Sequence, residues 1–186
     1  MKKICWFLAF ILALGISLIY DKQIVLFFYN HRIAFLDPVF AYIIKINRWI
    51  LLALLTIVFA RKLRHVLIWW LTFAATLGVS YVLKDIFSRL RPADFFSSLG
   101  MNIGLVPTSG LSFPSGHAVT LAASIPLVSK YTPKLKNYWI AIVSIILFAR
   151  VYGSVHYFSD IFTGCLIGYF VGVLILKLES KVKFLK

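Results

Sequence analysis

Residues 150–160 read RVYGSVHYFSD and set Arg150, His156 and Asp160 within one short stretch. His156 and Asp160 stand four apart, so on a helix they share a face, where the carboxylate accepts from one imidazole nitrogen and leaves the other free. A histidine held in that way is a candidate nucleophile or base, and the plainer account is an interfacial histidine beside a solvated aspartate. Arg150 cannot share that face on an unbroken helix, because six residues turn it roughly 240° away. Gly153 permits the break that would redirect it.

Two further stretches carry matching chemistry. KDIFSRLRP, residues 84–92, spaces Lys84 and Arg91 seven apart, near two helical turns, and Pro92 is expected to end the helix at Arg91. Alone, that pair reads first as bases snorkelling from a helix end. Arg89 and Asp85 are expected to form a local i,i+4 salt bridge directed elsewhere. FPSGH, residues 113–117, reads as a turn delivering a helix N-terminus, with Ser115 as the cap and Gly116 permitting close backbone approach to an anion.

Together these groups suit phosphoryl transfer without a metal. Lys84, Arg91 and Arg150 neutralise the equatorial oxygens, and backbone donors near Ser115 and Gly116 help position them. His156 attacks phosphorus, Asp160 fixes its tautomer, and His117 protonates the leaving oxygen. The only candidate metal ligands at this place are His117, His156 and Asp160, and three neighbouring cations would repel the ion, so no metal and no cofactor are expected.

The elements that must hold these residues lie in a membrane. The chain has 186 residues, 61% hydrophobic and 14% charged, with a mean hydropathy of +0.92, which a water-soluble domain of this size could not bury. Apolar runs at 4–20, 49–60, 66–83, 118–129, 138–149 and 161–176 are read as six spans, the shorter ones lengthened by polar turns that face the bundle interior. The first is read as a retained helix and not a cleaved signal peptide. Asp37 followed by Pro38 predicts the N-cap and first residue of a short interfacial helix between spans one and two, with Phe40, Ile43 and Ile44 on one face. The expected architecture is an all-α six-transmembrane-helix bundle forming one domain over residues 1–186.

With six spans both termini share a side, and that side collects Lys2, Lys3, Arg61, Lys62, Arg64, Lys130, Lys134, Lys136, Lys177, Lys181, Lys183 and Lys186 against Glu179. The other side mixes Lys22, Arg32, Lys45, Arg48, Lys84, Arg89, Arg91 and Arg150 with Asp21, Asp37, Asp85, Asp94 and Asp160. Positive charge marks the cytoplasmic face, so the termini are expected inside and the polar cluster outside. The net charge of +14 is then a topology signal, and nucleic acid is not an expected partner. Cys5 and Cys165 lie in apolar runs and read as small hydrophobes, with no disulfide expected.

The three stretches resemble the motifs of the type 2 phosphatidic acid phosphatase (PAP2) superfamily, membrane lipid phosphatases related to vanadium haloperoxidases. Its first motif, Lys, six residues, Arg-Pro, is similar to residues 84–92; its second, Pro-Ser-Gly-His, stands unchanged at 114–117. Its third, Ser-Arg, five residues, His, three residues, Asp, is matched at Arg150, His156 and Asp160, with Ala149 where Ser is usual. The resemblance implies a phosphohistidine on His156, phosphate held by Lys84, Arg91 and Arg150, and a bacterial inner-membrane enzyme acting on a phosphorylated lipid of the bilayer. Small bacterial members act on undecaprenyl pyrophosphate, phosphatidylglycerol phosphate, phosphatidic acid or lipid A 1-phosphate. A lipid phosphotransferase using the same phosphohistidine, and an anion or lipid-phosphate transporter, stay open, and the residues do not fix an oligomeric state.

Overall fold

The structure is a computed structural model that describes the backbone of residues 2–46 and 48–181 and the side chains of residues 12–46 and 48–181. Its elements run α1 (Lys2–Asn30), α2 (Asp37–Ile44), α3 (Arg48–Phe59), α4 (Leu63–Phe87), α5 (Pro92–Ser97), α6 (Gly116–Tyr131), a 3-10 turn (Pro133–Leu135), α7 (Lys136–Tyr152) and α8 (Phe158–Lys181). The fold is all-α, with no strand among the described residues.

Six helices overlie the six expected apolar segments. Among the described residues four stretches are long and apolar enough to cross a bilayer: Leu12–Asn30, Leu63–Ser97, Pro133–Tyr152 and Phe158–Lys181. The pair α2 and α3, bent by 74° at their junction, adds a fifth only when taken as one broken span. On that measure the described residues give four or five spans against the six expected. The shortfall lies in α3 and α6, of 12 and 16 residues, which rise roughly 18 and 24 Å against a hydrocarbon core of about 30 Å.

α6 is the centre of the bundle. From Ala118 to Ser124 every residue is buried, a pattern that places protein on all sides of the helix. Its most extensive contact is with α8, and glycines set how close the two come. Gly164, Gly168 and Gly172 form a stripe with a four-residue repeat along α8. A methyl at 168 would meet the Val119 carbonyl oxygen at 2.0 Å, and one at 172 the Ala123 carbonyl oxygen at 2.3 Å. Small residues at this spacing let two membrane helices meet backbone to backbone. The helix starting at Gly116 is thereby locked to the helix that carries Asp160.

α1 does not end where charge begins. It runs on through Asp21 to Asn30, and Asp21 is 1% exposed. The stretch expected to leave the membrane at that aspartate is helical because the carboxylate is satisfied from other elements, as described below. α2 appears where a short helix was expected, with a different start. Leu36 is its N-cap, Asp37 makes no capping bond, and the Asp37 carboxylate instead accepts from the Tyr152 hydroxyl at 2.7 Å. Its Phe40 ring packs on Tyr152 and Phe148, with centroids 4.5 and 5.6 Å apart, so this face is turned to α7.

At one end of the bundle Glu179 of α8 accepts from Arg64 at 2.7 Å, Lys130 at 2.8 Å and the Tyr131 hydroxyl at 2.7 Å. That end gathers described members of the basic set expected on the cytoplasmic side. Lys2, Lys3, Cys5, Lys183 and Lys186 lie outside the described side chains.

Candidate active site

The opposite end of the same helices collects the three motif stretches. α4 ends at Phe87 with Ser88 in the left-handed conformation (φ 41°), short of the expected end at Arg91. Arg91 is instead the N-cap residue of α5, with Pro92 opening that helix. Lys84 and Arg91 therefore do not meet along one helix face; the chain between them turns, and both side chains reach the segment 110–112. The Lys84 ammonium donates to the Leu111 carbonyl, and Arg91 Nε donates to the Gly110 carbonyl at 2.9 Å.

Arg91 also meets the histidine. Its NH1 donates to the Val155 carbonyl at 3.2 Å and lies 3.5 Å from His156 Nε2. His156 is 3% exposed and sits in the turn before α8, which begins at Phe158. Its pairing with Asp160 is made from that turn and not along a helix face: Nδ1 is 3.4 Å from Asp160 Oδ2. Asp160 takes shorter bonds from the Ser112 hydroxyl at 2.5 Å and the Tyr157 N–H at 2.9 Å. Burial pushes His156 down to about 4, the bond to Asp160 opposing it and the Arg91 charge reinforcing it. The ring is neutral at pH 7, with Nδ1 turned to the acid and Nε2 toward Arg91.

Arg150 stands at the C-terminal end of α7, which breaks at Gly153 as expected. It is 4% exposed, its NH2 donates to the carbonyls of Ile44 at 3.1 Å and Ile46 at 3.2 Å, and its Nε has no partner. His117 Nε2 donates to the same Ile46 carbonyl at 3.0 Å. One backbone oxygen at the α2–α3 junction thus sits on both groups.

Ser115 is the N-cap residue of α6 by position, yet its hydroxyl makes no capping bond and is buried without a partner. Its N–H donates to the Asp160 carbonyl at 3.1 Å, tying the starts of α6 and α8 together. The N–H groups of Gly116, His117 and Ala118 precede the first bond of the helix, from Val119 to Ser115, and have no acceptor within it.

Four further residues at this end are not among the motif positions of the three stretches. Ser112 bonds Asp160 and lies 3.4 Å from His156 Nδ1. Arg89, expected to pair with Asp85, instead donates to Asp160 at 2.8 Å, Ser159 at 2.7 Å and Asp21 at 2.7 Å, because α4 has ended and the i,i+4 geometry is gone. Asp21 in turn accepts from the N–H and hydroxyl of Ser159. Arg48, at the start of α3, lays its guanidinium over Gly116, where a methyl group would come within 2.6 Å of NH1. Among the described residues no three His, Cys, Asp or Glu side chains converge as a metal site.

The model of the PAP2 superfamily matches residues 65–184, a span that holds all three stretches. The chain belongs to the PAP2 superfamily. It is a multi-pass membrane lipid phosphatase. Among curated relatives it is 28% identical over 160 residues to the undecaprenyl-diphosphatase of Sulfolobus acidocaldarius, covering 82% of this chain and 74% of that one. It is 32% identical over 136 residues to phosphatidylglycerophosphatase B of Bacillus subtilis, covering 67% and 63%. The fold matches the crystal structure of a transmembrane PAP2-type phosphatidylglycerolphosphate phosphatase from Bacillus subtilis with a TM-score of 0.76 at 25% identity, over 100% of this chain and 99% of that one. It matches Aquifex aeolicus LpxE with a TM-score of 0.73 at 26% identity, over 84% and 94%.

In this PAP2 chain the unusual Ala149 is fully buried and packs in an apolar cluster with Ile44 and Val155.

Proposed function

We propose that this enzyme removes the terminal phosphoryl group of a phosphorylated membrane lipid through a phosphohistidine on His156, without a metal. The observation that carries the reading is the orientation of one ring: His156 Nε2 lies 3.5 Å from Arg91 while Nδ1 faces Asp160. A neutral imidazole with one nitrogen held by an acid and the other directed at a cation is poised to attack an anion that the cation binds.

In the first step Nε2 forms a bond to phosphorus, the bond from phosphorus to the lipid oxygen breaks, and His117 gives that oxygen a proton. Lys84, Arg91 and Arg150 spread the charge on the equatorial oxygens, with the free N–H groups at Gly116 and His117 beside them. The Ile46 carbonyl, which accepts from both Arg150 and His117, occupies the place of a substrate oxygen and must give way. Asp160 stabilises the imidazolium formed on His156. In the second step water attacks phosphorus, the phosphorus–nitrogen bond breaks, and His117 takes the proton, so that inorganic phosphate leaves and both histidines return to their starting state.

The chain acts as a single domain over residues 1–186, with both termini cytoplasmic and the site facing the exterior of the cytoplasmic membrane. Substrates of the undecaprenyl diphosphate or phosphatidylglycerol phosphate kind fit, in line with the relatives. The test is phosphate release by the purified protein in detergent from undecaprenyl diphosphate, phosphatidylglycerol phosphate, phosphatidic acid and lipid A 1-phosphate. Turnover of at least one that persists in EDTA is expected; turnover of none, or activity restored to a chelated sample only by a divalent ion, contradicts the reading.

A further inference from the structure

The motif cations do not exhaust the positive charge at this site. Arg48 enters from the α2–α3 junction, two residues past the Ile46 carbonyl that rests on His117 and Arg150. Its guanidinium lies against Gly116, the residue before His117. Among the described residues it makes no hydrogen bond and no ion pair, and it is within coulombic reach of Lys84, Arg91, His117 and Arg150. The carboxylates nearby are already engaged: Asp160 and Asp21 are held by Arg89. A half-buried arginine placed among like charges is costly unless an anion joins it.

A terminal phosphoryl group brings about two negative charges, for which Lys84, Arg91 and Arg150 suffice. A lipid diphosphate brings a further charge on its inner phosphate, and this grows as the bridging oxygen departs. That inner phosphate lies on the leaving side, where His117 must reach the bridging oxygen and where Arg48 sits over the start of α6. The Ser115 hydroxyl, at the N-cap position next to Gly116 and buried without a partner, adds polar capacity at the start of α6.

We propose that Arg48 binds the inner phosphate of a lipid diphosphate and so makes the enzyme selective for diphosphate over monophosphate lipids. The proposal rests on the phosphohistidine reading. In the diphosphate reaction Nε2 of His156 bonds to the outer phosphorus, the bridging bond breaks, His117 protonates the bridging oxygen, and the lipid monophosphate leaves with Arg48 offsetting its charge. The Arg fork also suits the two free oxygens of that group, which a lysine would meet only as a point charge.

The experiment compares diacylglycerol diphosphate with phosphatidic acid of the same acyl chains, each in detergent micelles with the purified full-length protein, by kcat/KM for phosphate release. Arg48→Ala is expected to lower the value for the diphosphate by about 10²-fold and for the monophosphate by about fivefold, the scale of one lost charge-stabilising donor against a long-range field change. Arg48→Lys, which restores the charge without the fork, should recover the loss on the monophosphate and only part of that on the diphosphate. Arg48→Gln, which keeps the stem, is measured in parallel and serves if the alanine variant does not fold. Equal losses on the two lipids, or an undiminished rate on the diphosphate, overturn the role of Arg48 while leaving the phosphatase reading intact. A wild-type protein that releases phosphate from neither lipid, nor from any of the four lipids named above, overturns both.

Discussion

The two ends of this bundle handle charge in opposite ways. Around Glu179 the carboxylate comes first: it is buried and takes Arg64, Lys130 and the Tyr131 hydroxyl. Around His156 one cation, Arg89, pairs with both Asp21 and Asp160. Lys84, Arg91 and Arg150 are left donating to the backbone carbonyls of residues 111, 110, 155, 44 and 46. A carbonyl orients a cation without cancelling its charge. The first end ties helices together; the second keeps its positive field for an anion.

Breaking the open end should cost the most activity. Arg91→Ala and Arg150→Ala are each expected to lower kcat/KM by at least about 10²-fold, the usual loss when a donor aimed at developing charge is removed, with little change in melting temperature. Phosphate-release kinetics and thermal unfolding in detergent separate the two quantities. A smaller loss, about tenfold, is expected for Ser112→Ala, which removes the 2.5 Å bond to Asp160 and loosens the acid behind His156. It should appear in kcat with KM nearly constant, because Ser112 faces the acid and not the phosphoryl pocket.

Proton linkage sharpens the comparison. His156 is neutral in the folded state down to about pH 4, its burial being the main cause, whereas the unfolded residue takes a proton near pH 6.5. Between those values the unfolded chain holds the extra proton, so stability falls as pH drops from about 6.5 to about 4, by up to roughly 1.4 kcal/mol per pH unit. The melting temperature of His156→Gln should lose that part of its pH dependence. At the closed end, Glu179→Gln should lower stability by about 1 kcal/mol, discounted because Arg64 and Lys130 remain partly hydrated. Its turnover should stay within about twofold of wild type, measured on whichever lipid the native enzyme accepts.

Much of this was legible in the chain. The helices fall on the apolar runs, and the spacing within RVYGSVHYFSD anticipates a break at Gly153 and an acid beside His156. What escaped the sequence were long-range satisfactions. Asp21 in YDKQ marks a membrane exit by composition, but its carboxylate is met by Arg89 and Ser159, 68 and 138 residues away, so α1 continues. Arg89 and Asp85 have helical spacing, yet the chain leaves the helix at Ser88 and the pair never forms. Arg48 and Ser112 belong to no motif, and only the fold brings them to His117 and Asp160. The GxxxGxxxG stripe at 164, 168 and 172 is a helix-contact pattern that the reading of apolar runs passed over, and its meaning came from the contact with α6.

The central claim is that His156 carries the phosphoryl group. The most direct measurement incubates the wild-type enzyme with a lipid whose terminal phosphate is radiolabelled and quenches it during turnover in alkaline detergent. Acid-labile, alkali-stable label on the peptide containing His156, absent when His156 is replaced, is the predicted result. Label on another residue, or phosphate release from His156→Ala at the wild-type rate, would contradict it.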